Sequence, residues 1–430
     1  MSVLSYSDEY DAHERFLHCT MIPCVLDAIQ GGLLSTPPFP LLEQLTVMIA
    51  QPGGWLDDFL PYTVPSLKLR HLSIKYHARH SHPRWILDLL LHLSERTPSL
   101  HHLKLRLYSC TLERQGKLRI DLFANSEKHL SLRVLFLDCA FLSPHSFVQI
   151  TSFPGLRNLT LRLQETTIPD IPLNSLAFHL LAKLDLRVTQ AKLATLFFQC
   201  VGSAMMPHVN RISISVEEIL PFDRDLGDIS CQICRLCSPT SFKALEIRFK
   251  ELTTEDGPPP LVPENPGYGL HMFQPLLSFS LQVLNLSLQL PLFTPTPSYV
   301  AQMASAWINL ISIEVDVGSI IPFDQHLSVS LPDLIPFFQA CKSLRQLYIP
   351  FRYVISDHLP SHGIQAYGLL DLGLGYINPD SQNALAMARW LRMVAPGLPE
   401  IALVNLDGDT VVCDIEELTK LGETMIDADH

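Results

Sequence analysis

The 430-residue chain is poor in charge: Asp, Glu, Lys and Arg together make up 17%, and bases (31) are outnumbered by acids (43). The net charge of -12 repels phosphate backbones, so nucleic acid is not the expected partner. Hydrophobic residues reach 47%, which excludes wholesale disorder. Met1 to Asp11 contains no apolar core segment and does not read as a secretory signal. The ten cysteines follow no framework spacing, so they read as reduced thiols in a cytoplasmic or nuclear protein. Between Glu264 and Glu314 no charged side chain occurs at all. Pro275, Pro291, Pro295 and Pro297 interrupt that stretch, which excludes a membrane-spanning helix there.

Reactive signatures are also missing. There is no nucleophile elbow, P-loop, HExxH or dinucleotide fingerprint, so no catalytic residue is assigned and an enzyme is not expected. No cofactor is expected. Gly373 and Gly375 of "GLGLGY" lie in a strand pattern and read as close-packing positions rather than a phosphate cradle. "NLDGDTVVCDIEE" fails as a calcium loop because its glycine falls between the acids. Cys231, Cys234 and Cys237 form CxxCxxC, for which Cys200 or His208 are the imaginable fourth ligands. The preferred reading is three buried thiols on a helix, with no metal. His77, His80 and His82 read as a solvated turn.

What is present is a repeat. Apolar residues recur at i, i+3 and i+5: Leu100, Leu103, Leu105; Leu132, Leu135, Leu137; Leu156, Leu159, Leu161; Leu281, Leu284, Leu286; Leu344, Leu347, Ile349. Weaker copies start at Leu42, Leu69, Leu181, Val209, Phe242, Leu310, Leu369 and Leu398, giving thirteen copies 24 to 39 residues apart. Residues two apart share one face of a strand, so i+3 and i+5 point to one core. One such strand cannot bury its face alone, but stacked parallel copies can. The intervening segments carry helical spacing: "RWILDLLLHLSER" after Pro83, "HSFVQIT" after Ser143-Pro144, and "SQNALAMARWLRMVA" after Asp380. "ILPFDRDL" (Ile219–Leu226) and "IIPFDQHL" (Ile320–Leu327) echo each other, which supports duplication.

Strand alternating with helix in this order predicts an α/β leucine-rich-repeat solenoid, a horseshoe with parallel strands on its concave face and helices on the convex face. The predicted organisation is residues 1–40 as an N-terminal helical cap or partial repeat, with a helix over Glu14 to Gln30. Residues 41–404 form the array, with a Pro-rich surface loop at 252–269, and 405–430 a cap. That cap has a hairpin at Asp407-Gly408 and a short helix from Glu416 to Ile426.

Strand geometry also picks out the residues that face solvent. If i+3 and i+5 point inward, then i+2, i+4 and i+6 point to the concave face. Those positions hold Lys75, Lys104, Arg106, Arg162, Lys183, Arg187, Arg211 and Arg248, against Asp138, Asp185 and Glu246, with His71 and His102 among them. The copy at Leu281 offers neutral Val283, Asn285 and Ser287; the last four offer Glu314, Asp316, Asp371 and Glu400 and no base. A face running from basic to neutral to acidic is expected. Its basic end is the candidate binding surface for an acidic or phosphorylated protein segment.

The segments "FPGLRNLTLRL", "VPSLKLRHLSI", "TPSLHHLKLRL" and "ALAMARWLRMVAPGLPEIALV" resemble the irregular leucine-rich repeats of F-box proteins, especially the fungal ones, over roughly residues 40 to 405. That resemblance implies substrate recognition for ubiquitination, with an N-terminal F-box binding a ligase adaptor. Residues 1–40 show neither the Leu-Pro start nor the Ile-Phe-type helix pattern of that module. The expectation is therefore a repeat-only relative or a piece of a longer product.

Overall fold

A computed structural model describes residues 3–7, 41, 43–49, 68–76, 97–107, 131–139, 144–163, 171–202, 206–217, 223–249, 270–287, 296–316, 329–349, 368–374, 381–404, 410–413, 415–417 and 419–420. The chain forms two compact units, residues 1–189 with 196–209, and residues 190–195 with 210–430.

The first unit contains strands β1 (Val3–Ser7), β2 (Gln44–Ile49), β3 (His71–Tyr76), β4 (His102–Leu107), β5 (Val134–Cys139), β6 (Asn158–Leu163) and β7 (Lys183–Val188). They pair in chain order, each parallel to the last. The helix α1 (Pro144–Thr151) and the C-terminal part of α2 (Ala191–Cys200) supply the return segments described here. The second unit contains β8 (Arg211–Val216), β9 (Ala244–Phe249), β10 (Val283–Ser287), β11 (Ser312–Asp316), β12 (Gln346–Ile349), β13 (Asp371–Leu374) and β14 (Glu400–Val404), again parallel and in order. β15 (Thr410–Cys413) pairs antiparallel with β14, and the turn expected at Asp407-Gly408 lies outside the described residues. Its helices are α3 (Asp223–Leu236), α4 (Pro297–Ala306), α5 (Ile335–Ala340) and α6 (Ser381–Val394), with 3-10 turns at Leu270–Ser278 and Leu331–Leu334.

Strands β2 to β14 each begin two residues after the first apolar residue of a copy. The reason is visible in the backbone. In both units the carbonyl just after that residue accepts two N–H groups from the next copy. Glu43 accepts from Arg70 and His71 (2.8 and 3.1 Å), Arg70 from His101 and His102, and His101 from Arg133 and Val134. The same fork joins Asn210 to Lys243 and Ala244, and Gln282 to Ile311 and Ser312. Each fork locks one copy to the next in register, so the apolar positions stack. Leu72, Leu103, Leu135, Leu159 and Leu184 form one ladder, and Ile74, Leu105, Leu137, Leu161 and Leu186 the next, all buried. Each such side chain contributes about 1.5–3 kcal/mol by leaving water.

Helices close the core. Phe197 packs edge-on to Phe198, with centroids 5.8 Å apart, in the first unit. In the second, Trp307 is fully buried and its indole N–H donates to Leu276 O at 3.2 Å. The Cys341 thiol donates to Trp307 O at 3.2 Å, tying α5 to the end of α4. No helix among the described residues is long and apolar enough to cross a membrane.

Several expected features lie outside the described residues: the helices at Glu14 to Gln30 and after Pro83, the histidines 77, 80 and 82, the loop 252–269, and the Ile320–Leu327 echo. Within residues 1–40 the described segment is a strand, β1, in register with β2. Residues 415–417 and 419–420 are helical, and the remainder of the helix expected from Glu416 to Ile426 lies outside the described residues.

Candidate functional site

Every base proposed for the binding face sits on a strand at a position alternating with the buried ladder. Lys183, Arg211 and Arg248 are exposed; Lys75, Lys104, Arg106, Arg162 and Arg187 are half-buried. The pairing registers place their side chains in straight rows about 4.8 Å apart. In the first unit one row holds Lys75, Arg106 and Asp138, and Arg162 stands beside Arg187. The next row holds Ser73, Lys104, Phe136, Thr160 and Asp185.

Phe136 organises this patch. Lys104 Nζ lies 5.2 Å from its ring centroid, and the Arg106 and Arg187 guanidiniums lie at 5.1 and 5.2 Å. Three cations converging on one ring gain cation–π attraction but repel one another. Desolvation first, then Arg106 and Arg187, hold the Lys104 ammonium below its ordinary pKa. One carboxylate offsets the crowd. Asp138, with 3% of its side chain exposed, meets Arg162 at 3.6 Å and Arg187 at 3.4 Å. Arg106 Nε is buried without a hydrogen-bond partner. Six bases against two acids on β3 to β7 leave an excess of positive charge at these positions.

Beside this patch, His71 and His102 are neighbours in the ladder, their ring centroids 4.3 Å apart. The His102 pKa is lowered by desolvation, then by His71, His101 and Arg133.

The second unit repeats the device once. Glu246 is bracketed by Arg211 (2.9 Å) and Arg248. Further along, Asn285 donates through Nδ2 to Glu314, and Asn285 Oδ1 is buried with no hydrogen-bond partner. Glu314 is in register with Tyr348, and Tyr348 with Gly373. A Cβ on Gly373 would fall 1.7 Å from Tyr348 Cδ1, so the ring fills the space a side chain would need. The glycine is there for close packing, as its place in the strand pattern indicated.

The expectation of three buried thiols requires correction. Cys237 is buried, Cys234 is intermediate, and Cys231 is exposed. Successive residues three apart on α3 rotate by about 300°, so the row drifts from the packed side out to solvent. Cys234 donates to Pro275 O at 3.1 Å. Burial pushes the Cys234 thiol up to about 11 and that of Cys237 up to about 12. Among the described residues no group of three His, Cys, Asp or Glu is placed to hold a metal ion.

An open parallel sheet, one buried ladder and helices closing the core define each unit as an α/β leucine-rich-repeat solenoid. No family model and no curated protein matches the chain. A solved structure to which it is similar is the leucine-rich repeat-containing protein LegL7 from Legionella pneumophila, 12% identical over 98% of each chain, with a TM-score of 0.33. The fold class rests on the chain's own ladder and not on that likeness.

Proposed function

We propose that this chain is a non-catalytic protein-interaction scaffold, and that the strand face of its first unit docks an acidic or phosphorylated segment of a protein partner. The observation that carries this reading is the convergence of Lys104, Arg106 and Arg187 on Phe136 with Asp138 as their near counter-charge. An anionic segment laid across these rows relieves repulsion that the empty face retains. Arginine forks suit carboxylate and phosphate alike. Lys75, Lys183 and Arg162 extend the surface along the same strands. In the second unit, taken by itself, Arg211 and Arg248 flank Glu246.

Capture of an acidic peptide, and of its phosphorylated form, by the full chain tests the proposal. Reversing charge at Arg106 and Arg162 together (Arg106→Glu, Arg162→Glu) should abolish capture. Capture that survives unchanged removes this face from consideration.

The F-box-like resemblance would make the chain a substrate-recognition component for ubiquitination. The alternative is a repeat-only binding protein outside any ligase. The second reading is favoured by β1, a strand in register with β2 within the segment where an F-box would be helical. A pull-down with the ligase adaptor separates them: binding that depends on residues 1–40 supports the first, and its absence alongside recovered partners supports the second.

A further inference from the structure

A second group of bases lies one residue ahead of the strands of the first unit. Arg70, His101, Arg133 and Arg157 immediately precede β3, β4, β5 and β6. Their carbonyls are the forks that hold the next copy, so their backbones form one row. Arg133 N donates to His101 O at 2.8 Å, and Arg157 N to Arg133 O at 2.9 Å. Glu43, at the β2 end, is the one acid in that row, and Ala182 closes it before β7. Arg70, Arg133 and Arg157 are exposed, and among the described residues no carboxylate pairs with any of them. The crowding is not a property of the position itself. In the second unit the bases at the corresponding places, Lys243 and Arg345, are separated by Gln282 and Ile311.

Arg133 and Arg157 stand on neighbouring strands, about 4.8 Å apart along the row. From them the solvent side of β5 and β6 runs through Val134 and Asn158 to Phe136 and Thr160. Two basic spots are thus separated by a neutral band: the guanidiniums ahead of the strands, and Lys104, Arg106 and Arg187 around Phe136. Phe136 lies three residues beyond Arg133, about 10 Å at the rise of a strand. Arg133 also acts electrostatically on His102, a solvent-side residue of β4, so its charge is felt on that face.

Two adjacent guanidiniums call for an anion with oxygens enough for both. Asp138, a single carboxylate between Arg162 and Arg187, reaches them only at 3.6 and 3.4 Å. A strong charge-assisted bond is about 2.7–2.9 Å long. A phosphoryl group carries close to two charges and three acceptor oxygens, so it forks onto two arginines at once.

We propose that the partner segment carries two anionic groups three residues apart: a phosphoryl group held by Arg133 and Arg157, and a second anion at the Phe136 patch. The uncharged residues between them lie over Val134 and Asn158. This rests on the reading of the strand face as the docking surface, to which it adds a phosphate site and a spacing.

The test titrates the full chain with two fluorescent peptides of one composition. One carries a phosphoserine and a glutamate three positions apart in a neutral background; its isomer carries them side by side. The spaced peptide should bind about tenfold more tightly. Arg133→Gln with Arg157→Gln should bring it to the isomer's affinity. Arg70→Gln, a charge lost from the same row but ahead of β3, should change it by less than about twofold. Replacing the phosphoserine by glutamate should cost the parent chain about fivefold and the double variant much less. Both arginines are exposed and the forks are main-chain, so the variants should keep the fold, which circular dichroism checks. Equal binding of the two isomers overturns the proposal. So does parent-like affinity for the spaced peptide in the folded double variant, or an equal loss in Arg70→Gln; each of these leaves the Phe136 patch standing. Parent-like binding by the Arg106→Glu, Arg162→Glu chain instead removes the docking face, and the phosphate site with it.

Discussion

Neutralising Asp138 should move stability and anion affinity in opposite directions. The carboxylate sits 3.6 Å from Arg162 and 3.4 Å from Arg187, with 3% of its side chain exposed. At an effective dielectric of about 20 each contact amounts to roughly 5 kcal/mol before desolvation is subtracted. Removing one partner of a fully buried pair costs about 3–5 kcal/mol, and of an exposed pair about 0.2–1 kcal/mol. Here the acid is buried but the arginines are 22% and 37% exposed, so solvent screens part of the interaction. Asp138→Asn keeps the shape and should therefore cost about 1–3 kcal/mol. Most of that cost is renewed repulsion between Arg162 and Arg187, register neighbours on β6 and β7. It should shrink between about 0.05 and 0.5 M salt as the screening length contracts. In the same variant the arginines lose their internal competitor, so an acidic peptide should bind more tightly at low salt. Urea unfolding followed by circular dichroism gives the first quantity, and peptide anisotropy the second. If stability and affinity fall together, Asp138 is shaping the site rather than competing for it, and the account of uncompensated charge fails.

Trp307→Phe should destabilise the second unit by about 1–3 kcal/mol, because the smaller ring leaves a gap in the core and the buried hydrogen bond to Leu276 O is lost, that carbonyl keeping only the Phe279 N–H; urea unfolding measures it. Alkylation followed by mass spectrometry should modify Cys231 well before Cys200, Cys234, Cys237 and Cys341 at neutral pH, since it alone of these five is exposed. The thiols of Cys234, Cys237 and Cys341 titrate higher in the folded chain than in the unfolded one, at about 11, 12 and 11 against 9. Folded protein holds those protons longer, so their contribution is complete below pH 9 and is lost as pH rises from 9 through 12. Denaturation midpoints across that range should fall accordingly. His102 should titrate below 6.5 by NMR, and stability should fall as pH drops through its folded pKa, because the unfolded chain takes up the proton more readily. His71→Gln should move that titration back toward 6.5.

Strand positions were legible in the chain because the i, i+3, i+5 spacing is the direct imprint of one-sided burial. The carbonyl fork makes that spacing rigid, so even the weak copy at Phe242 yields β9 on the expected residues, held by the Asn210 carbonyl. The same alternation placed the bases on the solvent side. It did not reveal Phe136 as their centre. That contact needs Arg187 to reach from β7 past β6 to β5, a fact of ladder register and not of spacing along the chain. Asp138 read as one opposing charge among others, since a pattern of residue types carries no information on how deeply a carboxylate lies between two arginines. Tyr348 and Gly373 are 25 residues apart, and only the pairing of β12 with β13 makes them neighbours. The thiol row was misread because a three-residue step falls short of a full helical turn, so its members cannot all stay on the packed side.

The carbonyl fork has a consequence for how such a chain can change. Where it forms, it fixes where the next strand begins whatever the length of the segment behind it, and the copies stand anywhere from 24 to 39 residues apart. The solvent side is thus a lattice whose columns are copies and whose rows are set by hydrogen bonds, not by loop length. A substitution at one lattice point rewrites what that point can recognise while every neighbour keeps its address.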